Sequence, residues 1–185
     1  RGLGDVYKRQ TLNLKDGASV SNIGSWSPED EIEESAVSGH ISAGKDVVID
    51  GLLMGERGSF DFSTDMTIKN GKYEKDYGET QEKTFSIENN KADGFIINGG
   101  SSFTVAENGS LSNSVVKGPD DGYGSGGKLI SVDKNTSIDN VTIEEGGRFE
   151  ISTDTTVSNS TNNGQNISIK DHVADGFVLD NGQSL

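Results

Sequence analysis

The sequence predicts an all-β chain wound as a β-solenoid, with coils of roughly 19 residues and protruding loops. Three observations carry this. The text repeats: residues 41–68 match residues 130–157 without a gap at a shift of 89, and 12 of 28 positions are identical. A second block matches at a shift of 82, with Ser86-Ile87 on Ser168-Ile169 and Ala92–Phe95 on Ala174–Phe177. Within the repeat, apolar residues alternate with polar ones. Phe149 and Ile151 fall between Arg148 and Glu150, the period of a strand with one buried face. Finally, only 30% of the residues are apolar, yet they are periodic, and no stretch carries helical spacing. A stack of short coils has a thin core, so this apolar content suffices.

The two shifts differ by seven, so the first copy holds seven extra residues between Ile68 and Phe85. Insertions in repeats go to loops on one face. A shorter period is suggested by Gly109-Ser110-Leu111, Gly127-Lys128-Leu129 and Gly147-Arg148-Phe149, spaced by 18 and 20. A coil of that size cannot bury its own apolar face, so coils must stack. About nine coils at ~4.8 Å each give a stack of about 45 Å.

Along the chain, residues 1–10 carry no repeat text and look like translated adapter sequence, so they are set apart from a single domain spanning 11–185. Residues 11–23 place Leu12, Leu14, Val20 and Ile23 around a Lys15-Asp16-Gly17 turn, a first coil. Residues 24–38, with Trp26 and an acidic run, are a loop. Coils occupy 40–68. The charged insertion within 69–83 holds Tyr73 and Tyr77. Coils return over 84–116, pause at the glycine-rich 118–127 with Tyr123, and then resume. The last text, Phe177–Gly182, lacks a polar cap. Solenoids require capping, so the reading expects a fragment of a longer chain.

The net charge of −14 argues against nucleic-acid phosphates as partners. No run of about 18 apolar residues is present to insert into a membrane. There is no cysteine, hence no disulfide and no thiolate metal site. His40 and His172 lack metal-ligand spacing, and no cofactor, metal or catalytic constellation is expected. Asp65/Asp154 and Asp93/Asp175 recur at equivalent positions. Turn aspartates accept backbone hydrogen bonds, which is the preferred reading over a Ca²⁺ site. Asn-x-Ser/Thr sequons at Asn108, Asn135, Asn140, Asn159 and Asn166 are put down to chance in a chain rich in these residues. Phe60, Phe95, Phe149 and Phe177 are expected in the core. Binding anchors favour Trp, Tyr and Arg. The expected recognition loops therefore present Trp26, Tyr73, Tyr77 and Tyr123, while the coils provide shape.

Residues Thr136–Ile151, TSIDNVTIEEGGRFEI, resemble the AIDA-type repeat of bacterial autotransporter adhesins, with Gly146-Gly147 in place of its paired glycines. The resemblance is good over 97–157 and fainter over 40–68. It implies a right-handed parallel β-helix exported to the bacterial cell surface and anchored in the outer membrane by a barrel absent from this sequence. The implied function is structural and adhesive rather than enzymatic, with attachment to host or bacterial surface glycans and proteins, or self-association, as in virulence and biofilm formation. The alternative is a polysaccharide-degrading enzyme of the pectin-lyase type, for which Asp61, Asp65, Glu150 and Asp154 are the candidate carboxylates.

Overall fold

The structure is a computed structural model that describes residues 11–25, 39–55, 58–74, 83–119, 125–180 and 182–185. Among these it is all-β, with two sheets and no helix. The strands are β1 (Thr11–Leu14), β2 (Ser19–Ser25), β3 (His40–Ala43), β4 (Val48–Met54), β5 (Ser59–Ser63), β6 (Thr67–Tyr73), β7 (Thr84–Glu88), β8 (Lys91–Asp93) and β9 (Ile96–Ile97). They continue with β10 (Ser102–Thr104), β11 (Ser110–Val116), β12 (Lys128–Ser131), β13 (Ser137–Ile143), β14 (Arg148–Ile151), β15 (Thr156–Asn162), β16 (Gln165–Lys170), β17 (Val173–Asp175) and β18 (Gln183–Ser184). Sheet A has seven strands in the order β1-β3-β5-β10-β12-β14-β18, all parallel. Sheet B has eleven, in the order β17-β16-β15-β13-β11-β8-β7-β6-β4-β2, with β9 beside β11.

The chain alternates between the sheets. Six times a strand of A is followed across a turn by a strand of B, and each strand lies parallel to its counterpart in the next pair. The step is 19 residues from His40 to Ser59, Val48 to Thr67 and Ser137 to Thr156. Six such pairs are fewer than the nine expected, because not all the repeat text is parallel. β7 and β16 run antiparallel to both their neighbours. Each belongs to a hairpin, β7–β8 or β16–β17, inserted into sheet B alone. The triplets at Gly109 and Gly127 also proved to be on different sheets, at the starts of β11 and β12. Glycine, polar, apolar describes any turn that enters a strand, so the spacing of 18 was not a coil.

Sequence identity misleads at one further point. The gap-free alignment sets Ile41 on Ile130, yet Ile41 faces Phe60 whereas Leu129, not Ile130, faces Phe149. The turn from β12 to β13 is one residue longer than that from β3 to β4, with nine residues from Leu129 to Ile138 against eight from Ile41 to Ile49. Ile41 is buried and Ile130 half-buried, as a one-residue slip requires when side chains alternate.

The seven-residue strands of sheet B bend at their fourth residue. Asn22, Gly51, Asn70, Asn113, Asn140 and Asn159 all have positive φ there, as does Gly94 following β8. Asparagine and glycine are the residues that tolerate this region. Four of the five sequons, those at Asn108, Asn135, Asn140 and Asn159, start on such an asparagine. Backbone geometry therefore accounts for the asparagine at these four, though not for the Ser or Thr two residues on. In the β6–β7 and β15–β16 ladders the bend adds a residue on one side, a β-bulge at Asn70 and Asn159. The hairpin loops Asn89-Asn90 and Asp171-His172 have both residues at positive φ, the mirror-image turn that suits the twist of two-residue hairpins.

Between β5 and β10 sheet A advances one strand, about 5 Å, while sheet B advances three, about 14 Å, through β7 and β8. Aromatic residues fill the resulting wedge. Phe60 stacks on Phe62 at 4.6 Å between centroids, and Phe95 lies 4.9 Å from Phe85 and 4.7 Å from Phe103. Sheet A also slips by two residues here. Phe60 and Phe103 each stand eight residues before the B-strand residue of their own pair, Ile68 or Leu111, but Phe103 faces Phe62. A slip of two keeps every inward side chain inward. Phe60, Phe95 and Phe149 are buried as expected, and Phe177 is half-buried against Phe149.

Candidate functional site

Of the four aromatic residues expected in recognition loops, Trp26, Tyr77 and Tyr123 lie outside the described residues. Tyr73 corrects the expectation. It is the last residue of β6, and its ring packs 4.7 Å from Phe85. Its hydroxyl accepts a hydrogen bond from Ile96 N at 2.7 Å and lies 3.5 Å from Ile96 O. Burial raises its pKa well above the ordinary value near 10. Its equivalent in the second copy, Asn162, reaches the matching carbonyl of Val178 through Nδ2 at 2.9 Å. Both residues hold the chain that leaves the hairpin. The seven extra residues of the first copy fall between Tyr73 and Lys83, where Asn163-Gly164 suffices in the second copy.

The candidate carboxylates are dispersed. Asp61 on β5 and Glu150 on β14 are three strands apart in sheet A, about 14 Å. That is wider than the separation at which two carboxyl groups flank a glycosidic bond. Lys128 Nζ holds Glu150 Oε1 at 2.6 Å. Asp154 Oδ1 lies 3.1 Å from His172 Nδ1, at the surface, and Asp65 sits in the β5–β6 turn. Among the described residues no group of three His, Asp or Glu side chains is placed to hold a metal ion.

One polar cluster joins β3, β5 and β10. His40 Nδ1 is 2.9 Å from Ser59 Oγ, and Nε2 is 3.0 Å from Asp61 Oδ2. Ser102 Oγ donates to Asp61 Oδ1 at 2.6 Å. Serine, histidine and aspartate in series have the connectivity of an activated nucleophile. The amides around Ser59 are already committed, however. Gly58 N donates to Gly55 O, Ser59 N to Gly39 O and Phe60 N to Ser101 Oγ. Acyl transfer needs free donors aimed at the developing oxyanion, and these three amides offer none. The cluster ties three strands together.

Sequence reasoning did not find the ladder along the bend of sheet B. Asp93 Oδ1 accepts from Ser112 Oγ at 2.8 Å and from Asn113 Nδ2 at 2.5 Å. Asp139 Oδ1 accepts from Ser158 Oγ at 2.7 Å and from Asn159 Nδ2 at 2.8 Å. These bonds lower the pKa of Asp139 below the ordinary carboxylate range, the Ser158 bond foremost. One residue further along, Ser114 and Ser160 accept from Phe95 N and Val141 N, the amides that the bend removes from the ladder. The sequence signal was present: Asp at the third position of one strand precedes Ser-Asn-Ser at the third to fifth of the next. Where Gly51 interrupts the asparagines, an open groove of about 450 Å³ crosses β2, β4 and β6, with Leu53 44% exposed beside it.

No protein-family model matches the sequence, and no curated protein does either.

Proposed function

We propose that the chain is a right-handed parallel β-solenoid acting as a structural and adhesive module at a bacterial cell surface, in the manner of AIDA-type autotransporter passengers. The observation that carries this reading is parallel pairing in both sheets, with steps of 19 residues from β3 to β5 and from β4 to β6, and of 20 and 19 residues from β12 to β14 and from β13 to β15. Chain that advances one strand in each sheet per step builds a rigid rod of strands at low apolar cost. Its partners are surface glycans or proteins, met by loops that leave the coils. The interval between Tyr73 and Lys83 is the candidate segment for this contact, because the second copy folds the same hairpin without it.

Beads coated with the chain test the reading by their attachment to bacterial and epithelial surfaces. Attachment should fall when residues 74–82 are replaced by Asn-Gly, while the melting temperature stays put. Attachment no greater than that of uncoated beads, on every surface tried, would refute adhesion. Self-association is the other expected contact. With a net charge of −14 it should strengthen as salt rises and screens repulsion, which light scattering will show.

A further inference from the structure

Two glycines flank Leu53 on the outer face of sheet B, and they differ in what requires them. Gly51 bends β4 at φ +77°, where β2 and β6 use Asn22 and Asn70. Gly24, paired with Leu53, has no such task. Its φ lies outside the left-handed region, and a Cβ built on it would meet nothing closer than Leu53 O at 3.5 Å, an ordinary contact. A glycine inside a strand gives up stability. Where no bend or bulge requires it, its remaining use is the close approach of a ligand or another backbone. Among the described residues, no backbone but that of Leu53 comes within 4 Å of that point.

The open groove of about 450 Å³ runs over these glycines and along Leu53, which is 44% exposed. At the same position of their strands, Val115 is half-buried and Thr142 and Thr161 are polar. Asn22 and Asn70 stand on either side of Gly51 in the neighbouring strands. Asn22 Oδ1 lies 2.8 Å from where a Cβ of Gly51 would be. Asn70 Nδ2 donates to Asp50 Oδ1 at 2.6 Å, which leaves Asn70 Oδ1 to accept. The groove opens on the face of the sheet, so a strand beside β2 would lengthen it rather than cover it.

We infer that this groove binds a neutral hexose of a surface glycan, with Leu53 and the bare glycine backbone under the ring and the Asn22 and Asn70 carboxamides on its hydroxyls. The walls select the occupant. β2, β4 and β6 are paired to one another across the groove, so its floor offers no main chain for strand addition. The net charge of −14 opposes anionic ligands, and Lys72 at the rim is a single charge against that field. An aliphatic chain would cover the two carboxamides without replacing their hydrogen bonds to water. A sugar ring meets each demand: its C–H face packs on Leu53, and its hydroxyls both donate to and accept from a carboxamide. The choice of a glycan rests on the adhesive reading, and the place of the site rests on Gly24.

Titration of the isotope-labelled full chain with cellobiose, lactose and mannobiose provides the test, read at the Leu53 methyls and the Asn22 and Asn70 side-chain amides. The expected result is saturable shifts there with at least one of the three, at a Kd on the order of 1 mM. Gly24→Val puts a strand-favouring side chain into the groove. It should hold or raise the melting temperature and weaken binding about tenfold or more. Gly51→Asn, the residue of the neighbouring bends, should do the same, since only the tip of Asn22 must move aside. The uronic-acid counterpart of the sugar that binds should bind more weakly. No saturable shift up to about 10 mM overturns the inference. So does binding kept by both filled variants, and so does preference for the uronic acid. Bead attachment without disaccharide binding keeps adhesion and sinks the groove, whereas disaccharide binding without attachment supports the groove and sinks adhesion.

Discussion

Tyr73 shows how a residue type associated with recognition becomes structural through position. Its hydroxyl is the partner of Ile96 N, so Tyr73→Phe leaves a half-buried amide without that partner. That should cost about 1–3 kcal/mol in urea unfolding, with little change in slope. Because the folded state raises its pKa, it holds the phenolic proton more tightly than the unfolded chain does. The resulting stability is fully present below pH about 10 and is lost as pH rises above it. Phenolate absorbance should therefore show one of the four tyrosines ionising only as the protein unfolds. Asn140 makes the parallel case for the backbone. At φ 51° an alanine is strained. Asn140→Ala should destabilise by about 1–2 kcal/mol and Asn140→Gly by clearly less, as read from denaturant midpoints.

The hairpins are the elements that set this chain apart from a plain stack of parallel strands. Each adds two strands to sheet B and none to sheet A, and the aromatic wedge follows from that imbalance. Phe103 is fully buried in it, so Phe103→Ala should cost about 3–5 kcal/mol, measurable as a lowered melting temperature. Gly71 is part of the same fit. A Cβ there would stand 2.6 Å from Phe85 O and 2.7 Å from its ring, so Gly71→Ala should also destabilise strongly. Residues 74–82, by contrast, connect β6 to β7 without a counterpart in the second copy. Their replacement by Asn-Gly should leave the unfolding midpoint within about 0.5 kcal/mol of the parent.

At the scale of the whole sheet, acidic residues of neighbouring strands are kept apart by polar ones. In the third-position column of sheet B, Ser112 stands between Asp93 and Asp139 and provides the donor that keeps Asp93 satisfied. Asp139 has a lowered pKa, so its contribution is present above the ordinary carboxylate value and is lost as pH falls through the folded one. Asp139→Asn should accordingly lower the neutral plateau of a stability–pH curve and flatten its acid limb, with parent and variant converging at low pH.

The sequence alone determined the strand periodicity, the two-copy repeat, the positions of the main insertions and most of the core phenylalanines. These depend on local alternation and on turn chemistry, which neighbouring residues report directly. Only the tertiary structure decided that β7 and β16 run antiparallel, that Ile130 is not the counterpart of Ile41, and that Tyr73 faces inward. The Asp to Ser-Asn-Ser ladder also emerged only there. A strand of given alternation reads the same whether its neighbour is parallel or antiparallel. The direction of β7 and β16 is set between hairpin neighbours, and the register of β12 and the partners of Asp93 and Asp139 between strands 19 or more residues apart, by the burial of a shared face and the satisfaction of backbone groups at the bends.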